Sequence, residues 1–422
     1  MSISTENMHN TPKAGAQETL QAPLLNTYGA RFPVLFVSGS GTILHDDQGK
    51  EYLDFLGGLA VTALGHAHPG VTAAVTAQAG KLVHVSNLFW TEPMAQLAFR
   101  LREITGWGRT FFANSGAEAV ECALKLVRKW AGPERPTVLC AVPSFHGRTF
   151  GALAATGQPA KQQGFLPLPA GFAHAPFNDL KAFEDAVDST TAAILVEPIL
   201  GECGVVPATP DFLQGLRTLC DERDLALVFD EVQTGVGRTG HWWAHQSYGV
   251  LPDVLTSAKA LANGFPIGAC VAGERLADAF VPGDHGSTFG GNPVVCAAAL
   301  ATLDLIEQEG LLDRVPELGA QLVTGLEKLP GVRETRGLGL LQAAVLDAPI
   351  AVATVNSALV HGLVVNAPAP DVLRFAPPLT VSPAEIDEAL QRLGSALAHA
   401  RHADVEAGER SAAKGDDREE TP

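Results

Sequence analysis

The sequence predicts an α/β fold built around a mostly parallel sheet, and three observations point there. Thr137–Val142, Ala192–Val196 and Leu225–Phe229 are continuous apolar runs, the mark of strands covered on both faces. Between the last two lies a well-punctuated helix. Thr209 can cap it, Pro210 suits its first turn, and Phe212, Leu213, Leu216, Leu219 and Cys220 form one face. Strand, helix and strand make a βαβ unit, whose crossover implies parallel strands. The composition agrees: 46% of the 422 residues are hydrophobic and 18% charged. That balance excludes a disordered chain, a coiled coil and a collagen-like fibre.

Taken in order, residues 1–22 are polar, lack periodicity and read as a flexible leader. From Phe32 to Phe55, short strand-like runs are broken by Gly39-Ser40-Gly41 and Asp46-Asp47-Gln48-Gly49, which suggests hairpins. Phe111–Glu118 reads as a strand end, a small-residue turn and a helix start. That helix carries Val120, Ala123, Leu124, Val127 and Trp130 on one face and stops at Gly132-Pro133. Beyond the three strands, Leu303–Leu329 reads as helical and Ser382–Ala398 as a closing helix. The expected division is a leader (1–22), an N-terminal segment packing with the small domain (23–70), a large domain (71–305), a small C-terminal domain (306–402) and a tail (403–422). The tail holds seven acids and three bases and reads as solvated and disordered.

The net charge of −17, with no cluster of Lys and Arg, argues against a nucleic-acid partner. The longest apolar stretch, near Val294–Leu303, falls short of the ~20 residues that span a bilayer. No secretory signal is visible, so neither a membrane nor export is expected. The six cysteines (Cys122, Cys140, Cys203, Cys220, Cys270, Cys296) are scattered without a CxxC pair and read as reduced residues of a cytoplasmic protein. His66 and His68 are the nearest approach to a metal pair, but no further ligand follows at suitable spacing. No metal is expected.

Three signals carry chemistry. The turn Asn114-Ser115-Gly116-Ala117 opens a helix, where free N–H groups and the positive dipole end would stabilise a phosphate or carboxylate. An ordinary cap at Asn114 or Ser115 explains the same residues. The twenty residues Val254–Gly273 contain one charge, Lys259. In such apolar company its pKa should fall, and a neutral amine suits a Schiff base. The alternative is an ammonium reaching water at a helix end. Finally, Glu197 and Asp230 each follow a predicted parallel strand, at the edge where open α/β sheets hold ligands. Each could merely cap its loop. A carboxylate there could also keep a pyridine nitrogen protonated, as pyridoxal phosphate chemistry requires. Gly235-Val236-Gly237-Arg238-Thr239-Gly240 matches the dinucleotide fingerprint, yet it neither leaves a strand directly nor opens a helix, which argues against a nicotinamide cofactor.

From about Tyr28 to Ala398 the chain resembles the class III (ornithine-type) pyridoxal-phosphate aminotransferases. The resemblance rests on several blocks in order: Leu64-Gly65-His66-Ala67-His68-Pro69, His84-Val85-Ser86-Asn87, Asn114–Ala119, Phe145-His146-Gly147-Arg148-Thr149, Asp230–Gly235, Ala258-Lys259 and His285–Pro293. It implies fold type I: a mostly parallel seven-stranded central sheet flanked by helices, plus a small α+β domain. It implies pyridoxal 5'-phosphate as cofactor, held by the large domain, and a homodimer with shared active sites. Lys259 would hold the cofactor and shuttle the proton, and Asp230 would pair with the pyridine nitrogen. Gln233 would lie near the ring hydroxyl and Phe145 would stack on the ring. Ser115, Gly116 and Ala117 would cradle the phosphate, reached by Thr288 from the partner subunit, and Glu197 would also face the cofactor.

On the substrate side, Arg148 would anchor the α-carboxylate of N-acetylornithine and of glutamate, and Ser287 would line the pocket. Glu202 would mask Arg374 for one substrate and release it for the other. The reaction implied moves the terminal amino group of N-acetylornithine to 2-oxoglutarate. Ornithine, succinylornithine, N-succinyl-diaminopimelate and 4-aminobutyrate are the alternative donors. Leu200, Cys203 and Val120 depart from the family's usual residues. Leu59 stands where ornithine-specific members carry tyrosine, which suits an acylated side chain better than a free ammonium.

Overall fold

Three short strands lead the described part of the chain: β1 (Phe36–Ser40), β2 (Ile43–Asp46) and β3 (Glu51–Asp54), paired antiparallel as the hairpin signals predicted. This computed structural model describes residue 19, residues 21–28 and residues 31–416, with side chains as far as Ala403. The leader expected over 1–22 therefore lies largely outside the described residues.

The central sheet follows. Its strands are β4 (Arg109–Ala113), β5 (Thr137–Val142), β6 (Phe172–Pro176) and β7 (Thr191–Val196). After a small hairpin of β8 (Ile199–Leu200) and β9 (Val206–Pro207) come β10 (Ala226–Asp230), β11 (Val254–Ser257) and β12 (Gly268–Ala272). Seven of them form one sheet in the order β4-β12-β11-β10-β7-β5-β6. Only β12 runs against the rest. The continuous apolar runs acquire a concrete reason here. Val138 and Cys140, Leu195, and Val228 pack into the core beneath the helix Gly116–Ala131. Their neighbours Leu139 and Ala141, Ile194, and Leu227 and Phe229 pack into the core beneath the helix Pro210–Glu222. Successive side chains point to opposite faces, so a strand covered twice must be apolar throughout.

The helix Pro210–Glu222 starts as predicted, with Thr209 Oγ1 accepting the Phe212 N–H at 3.3 Å, and its predicted face is buried. The stretch expected to be helical over Leu303–Leu329 is two helices, Pro293–Gln308 and Leu311–Glu327. They part at Gly310, whose φ of 59° is the left-handed region that suits glycine. The apolar run near Val294 is thus the first half of a core helix.

The C-terminal part holds β13 (Val332–Leu338), β14 (Leu341–Leu346), β15 (Leu363–Val364), β16 (Asn366–Ala369) and β17 (Val372–Phe375). An antiparallel sheet runs β13-β14-β17-β16, while β15 instead pairs in parallel with β3. The N-terminal segment is therefore tied to the C-terminal sheet region, and one core cluster joins Leu53 and Phe55 to Leu363, Leu373 and Phe375. The closing helix runs from Pro383 to Asp416, beyond the expected Ala398. Ser382 and Glu385 bond reciprocally to cap its start. The segment 403–416, expected to be disordered, continues this helix; its Ala- and Glu-rich sequence favours that state. Residues 417–422 lie outside the described residues.

Candidate active site

Because all strands but β12 point one way, the carboxyl ends of β4, β5, β7, β10 and β11 converge on one edge. A cavity of about 420 Å³ opens there, within the usual range for a small-molecule site. Ten of the residues singled out from sequence line it: Ser115, Gly116, Ala117, Phe145, Arg148, Glu197, Glu202, Asp230, Gln233 and Lys259.

The turn after β4 delivers the start of the helix Gly116–Ala131 to the cavity. Ser115 Oγ caps it by accepting the Glu118 N–H at 3.2 Å. The ordinary-cap reading is thus correct for Ser115, and it leaves the N–H groups of Gly116 and Ala117 without intrahelical acceptors. A Cβ on Gly116 would lie 2.9 Å from Val232, which also lines the cavity, so only glycine fits without a shift.

Lys259 follows β11 through a sharp turn in which its own φ is 43°, an uncommon conformation for any residue other than glycine. Its side chain enters the cavity. Burial pushes its amine down to about 8, opposed chiefly by the nearby Glu202 carboxylate. A fraction of neutral amine is therefore present near neutrality.

Asp230 ends β10 and is held at both oxygens. Oδ2 lies 2.8 Å from His146 Nδ1, while Oδ1 accepts from the Val232 N–H at 3.1 Å and from Thr256 Oγ1 at 3.2 Å. A carboxylate oxygen only accepts, so the hydrogen sits on His146 Nδ1. Glu197, just beyond β7, accepts the Phe145 N–H at 2.9 Å and the Gly201 N–H at 3.2 Å. Burial raises its carboxyl to about 7, with His146 opposing and Asp230 reinforcing the shift.

Glu202 sits in the turn between β8 and β9, and Arg374 on β17 reaches it with an Nη1–Oε1 distance of 2.6 Å. The same Nη1 donates to Gly201 O at 2.9 Å and Gln233 Oε1 at 3.1 Å, and Nε donates to Asn366 Oδ1. Burial works to raise the Glu202 carboxyl, but Arg374 and Lys259 outweigh it and hold it below the ordinary value. A Cβ on Gly201 would come within 2.2 Å of Gln233 Oε1, so glycine is required for this contact.

Some expected residues stand elsewhere. Ser287, expected in the substrate pocket, does not line the cavity of its own chain. Its Oγ accepts from Asn114 Nδ2 at 3.1 Å and from the Gly290 N–H, which makes it a brace for the loop. Thr288 is exposed and also outside the cavity. Leu59 is 40% exposed and does not line it; Val61, Phe265 and Ile267 form the apolar lining instead. Leu200 and Val120 are core residues, and Cys203 Sγ accepts from Gln158 Nε2. His146 carried no expectation, although it lies within the Phe145–Thr149 motif. Its contact with Asp230 spans 84 residues of chain, and no local signal reports it.

The segment Gly235–Gly240 is a string of turns with no helix behind it apart from the short His245–Tyr248. Arg238 is fully buried and donates to Leu340 O and Pro377 O. The glycine pattern serves close packing against the C-terminal part, not a nucleotide. Among the described residues no cluster could hold a metal, and all six cysteines are free thiols.

The sheet and cavity define an enzyme of the open α/β type, with a partly neutral amine facing buried carboxylates at the strand ends. The chain matches the class-III aminotransferases over residues 26–397 and belongs to that family. It is similar to the acetylornithine aminotransferase of Caldanaerobacter subterraneus subsp. tengcongensis, 48% identical over 386 residues covering 90% of this chain and 98% of the relative. It is also similar to that of Streptomyces coelicolor, 50% identical over 400 residues covering 93% and 98%. Among solved structures, ornithine aminotransferase from Toxoplasma gondii matches with a TM-score of 0.88 at 34% identity, covering 92% of this chain and 96% of that one. N-acetylornithine aminotransferase from Stenotrophomonas maltophilia matches with a TM-score of 0.79 at 38% identity, covering 90% and 99%.

Proposed function

We propose that the chain transfers the terminal amino group of N-acetylornithine to 2-oxoglutarate, giving N-acetylglutamate 5-semialdehyde and glutamate, with pyridoxal 5'-phosphate as cofactor. The observation that carries this is Lys259, an amine held partly neutral in a cavity between Asp230 and the Glu202–Arg374 pair. The relatives named acetylornithine aminotransferase support the choice of donor.

The residues present fit the cofactor group by group. Gly116 and Ala117 would bind the phosphate with free N–H groups, Asp230 the pyridine nitrogen, Gln233 the ring hydroxyl, Phe145 one ring face and Lys259 the carbonyl carbon. Bound there, the cofactor supplies an electrophilic carbonyl and an electron-withdrawing ring. Lys259 Nζ takes up and returns the proton of the substrate carbon that carries the reacting amine. Asp230 keeps a positive charge on its partner because His146 and Thr256 fix its orientation. Phe145 and Ile267 exclude water from the amine.

Both substrates carry a carboxylate at the end far from the reacting carbon, and Arg148 binds that one. In glutamate this is the side-chain carboxylate, which corrects the expectation that Arg148 holds glutamate's α-carboxylate: that group sits at the reacting carbon and falls to Arg374 once Glu202 releases it. N-acetylornithine has no carboxylate at its reacting end, and Glu202 stays paired. Val61 and Phe265 suit an acylated chain, since an unpaired ammonium among them would be costly.

The enzyme acts as a cytoplasmic homodimer in this reading. Leu88, Phe89, Trp90 and Phe289 are all more than half exposed beside Thr288, and a second copy covering them would bring Thr288 to its phosphate. Among the described residues no helix is long and apolar enough to cross a membrane. The test compares kcat/KM for N-acetylornithine, ornithine, succinylornithine and 4-aminobutyrate with 2-oxoglutarate as acceptor. N-acetylornithine should lead; if 4-aminobutyrate led, the assignment would fail.

A further inference from the structure

Lys161 stands next to Phe145, a residue that lines the cavity, without an assigned task. Its ammonium lies 4.9 Å from the centre of the Phe145 ring, and the Arg148 guanidinium lies 5.7 Å from the same ring. Neither cation has a hydrogen-bond or ion-pair partner among the described residues. Lys161 is nonetheless held in place. It sits on the short helix Pro159–Gln162, whose neighbours are tied down from both sides. Gln158 Nε2 donates to Ser144 O at 2.9 Å, and Gln162 Nε2 donates to Thr156 O at 2.7 Å and Leu153 O at 3.0 Å.

Two cations without a bonded partner thus share one ring, with the Glu202 and Glu197 carboxylates near enough to act on Lys161 but not bonded to it. Burial lowers the Lys161 amine and the Arg148 charge lowers it further, opposed in part by Glu202, Cys203 and Glu197, so a bound anion would favour the charged form. Arg374, in contrast, already has Glu202. Around the cavity there is thus one masked cation, Arg374, and one pair without a bonded anion, Arg148 and Lys161. That matches substrates sharing one constant carboxylate and differing in a second.

We infer that Lys161 acts with Arg148 as a two-residue clamp on the carboxylate at the far end of the substrate, and so helps to set the preference for amino-acid donors over plain amines. The inference rests on the transaminase reading above and deepens it. A carboxylate has lone pairs enough to accept from the guanidinium and the ammonium together. The ring of Phe145 keeps both cations oriented in the absence of substrate.

The experiment uses the holoenzyme with Lys161→Met and Lys161→Arg, each first checked for cofactor absorbance equal to the parent. Two donors are compared: N-acetylornithine, and N-acetyl-1,4-diaminobutane, the same molecule without its carboxylate. Lys161→Met should lower kcat/KM for N-acetylornithine on the order of tenfold, mainly through KM, and leave the decarboxylated donor within about twofold. Lys161→Arg should restore most of the loss. Equal losses on both donors, or no loss on either, would overturn the clamp while leaving the transaminase intact. A parent enzyme that turns over neither donor would instead overturn the function itself.

Discussion

Asp230 and Glu197 stand at the ends of adjacent parallel strands with their oxygens satisfied by groups from the same sheet edge, whereas Glu202 and Arg374 meet across 172 residues, one from a tight turn and one from the C-terminal sheet. The first pair is placed by topology: any chain that builds this parallel sheet presents those two positions to the cavity. The second pair exists only where two separately folded parts touch. In the proposed reading, cofactor chemistry rests on the strand ends and substrate choice on the contact between Glu202 and Arg374. Asp230 and Glu231 sharpen the point. They are neighbours in sequence, yet Glu231 is fully buried away from the cavity, where it accepts from Thr234 Oγ1 and the Ala244 and His245 N–H groups.

If the strand-end wall does the chemistry, Lys259→Ala should have the largest effect. Single-turnover rates should fall by at least ~10³-fold, near the range for losing a positioned acid–base group, while phosphate-dependent retention of the cofactor persists. Asp230→Ala should come next, with kcat down on the order of 10²–10³-fold, since a charge-stabilising group is removed from a buried site. A substrate-dependent loss confined to KM would break the division of labour.

On the contact wall, Arg374→Ala should raise KM for 2-oxoglutarate by about tenfold or more and affect N-acetylornithine less, measured by separate half-reactions. Glu202→Gln removes the negative charge that most opposes the lowering of Lys259. In protein freed of cofactor, labelling of Lys259 by an amine-selective reagent should titrate near pH 8 and shift to lower pH in the variant. A shift upward would contradict the placement of Glu202.

The smallest effect concerns stability. Glu197 has a folded pKa raised to about 7 from an ordinary 4.5, so its favourable contribution is present below pH 4.5 and is lost as pH rises through 7. Glu197→Gln should therefore gain Tm relative to the parent above pH 7 and lose that advantage below pH 4.5. The two thermal profiles would run parallel if burial did not disfavour the charge.

What the sequence determined by itself was what local pattern can encode. Apolar runs without alternation marked strands buried on two faces, Thr209-Pro210 marked a helix start, and a solitary lysine in an uncharged stretch marked a desolvated amine. The quoted blocks then placed Asp230, Gly116 and Arg148 in one site. Tertiary structure decided what depends on approach between distant segments: the His146–Asp230 bond, the tie between β3 and β15, and the placing of Ser287 outside the cavity of its own chain. It also split the expected helix over Leu303–Leu329 at Gly310 and assigned the Gly235–Gly240 pattern to packing. The physical reason is common to all of these. Propensity and periodicity act within a few residues, but the cost of burying a charge or leaving a donor unpaired is settled only once the whole chain has closed around it.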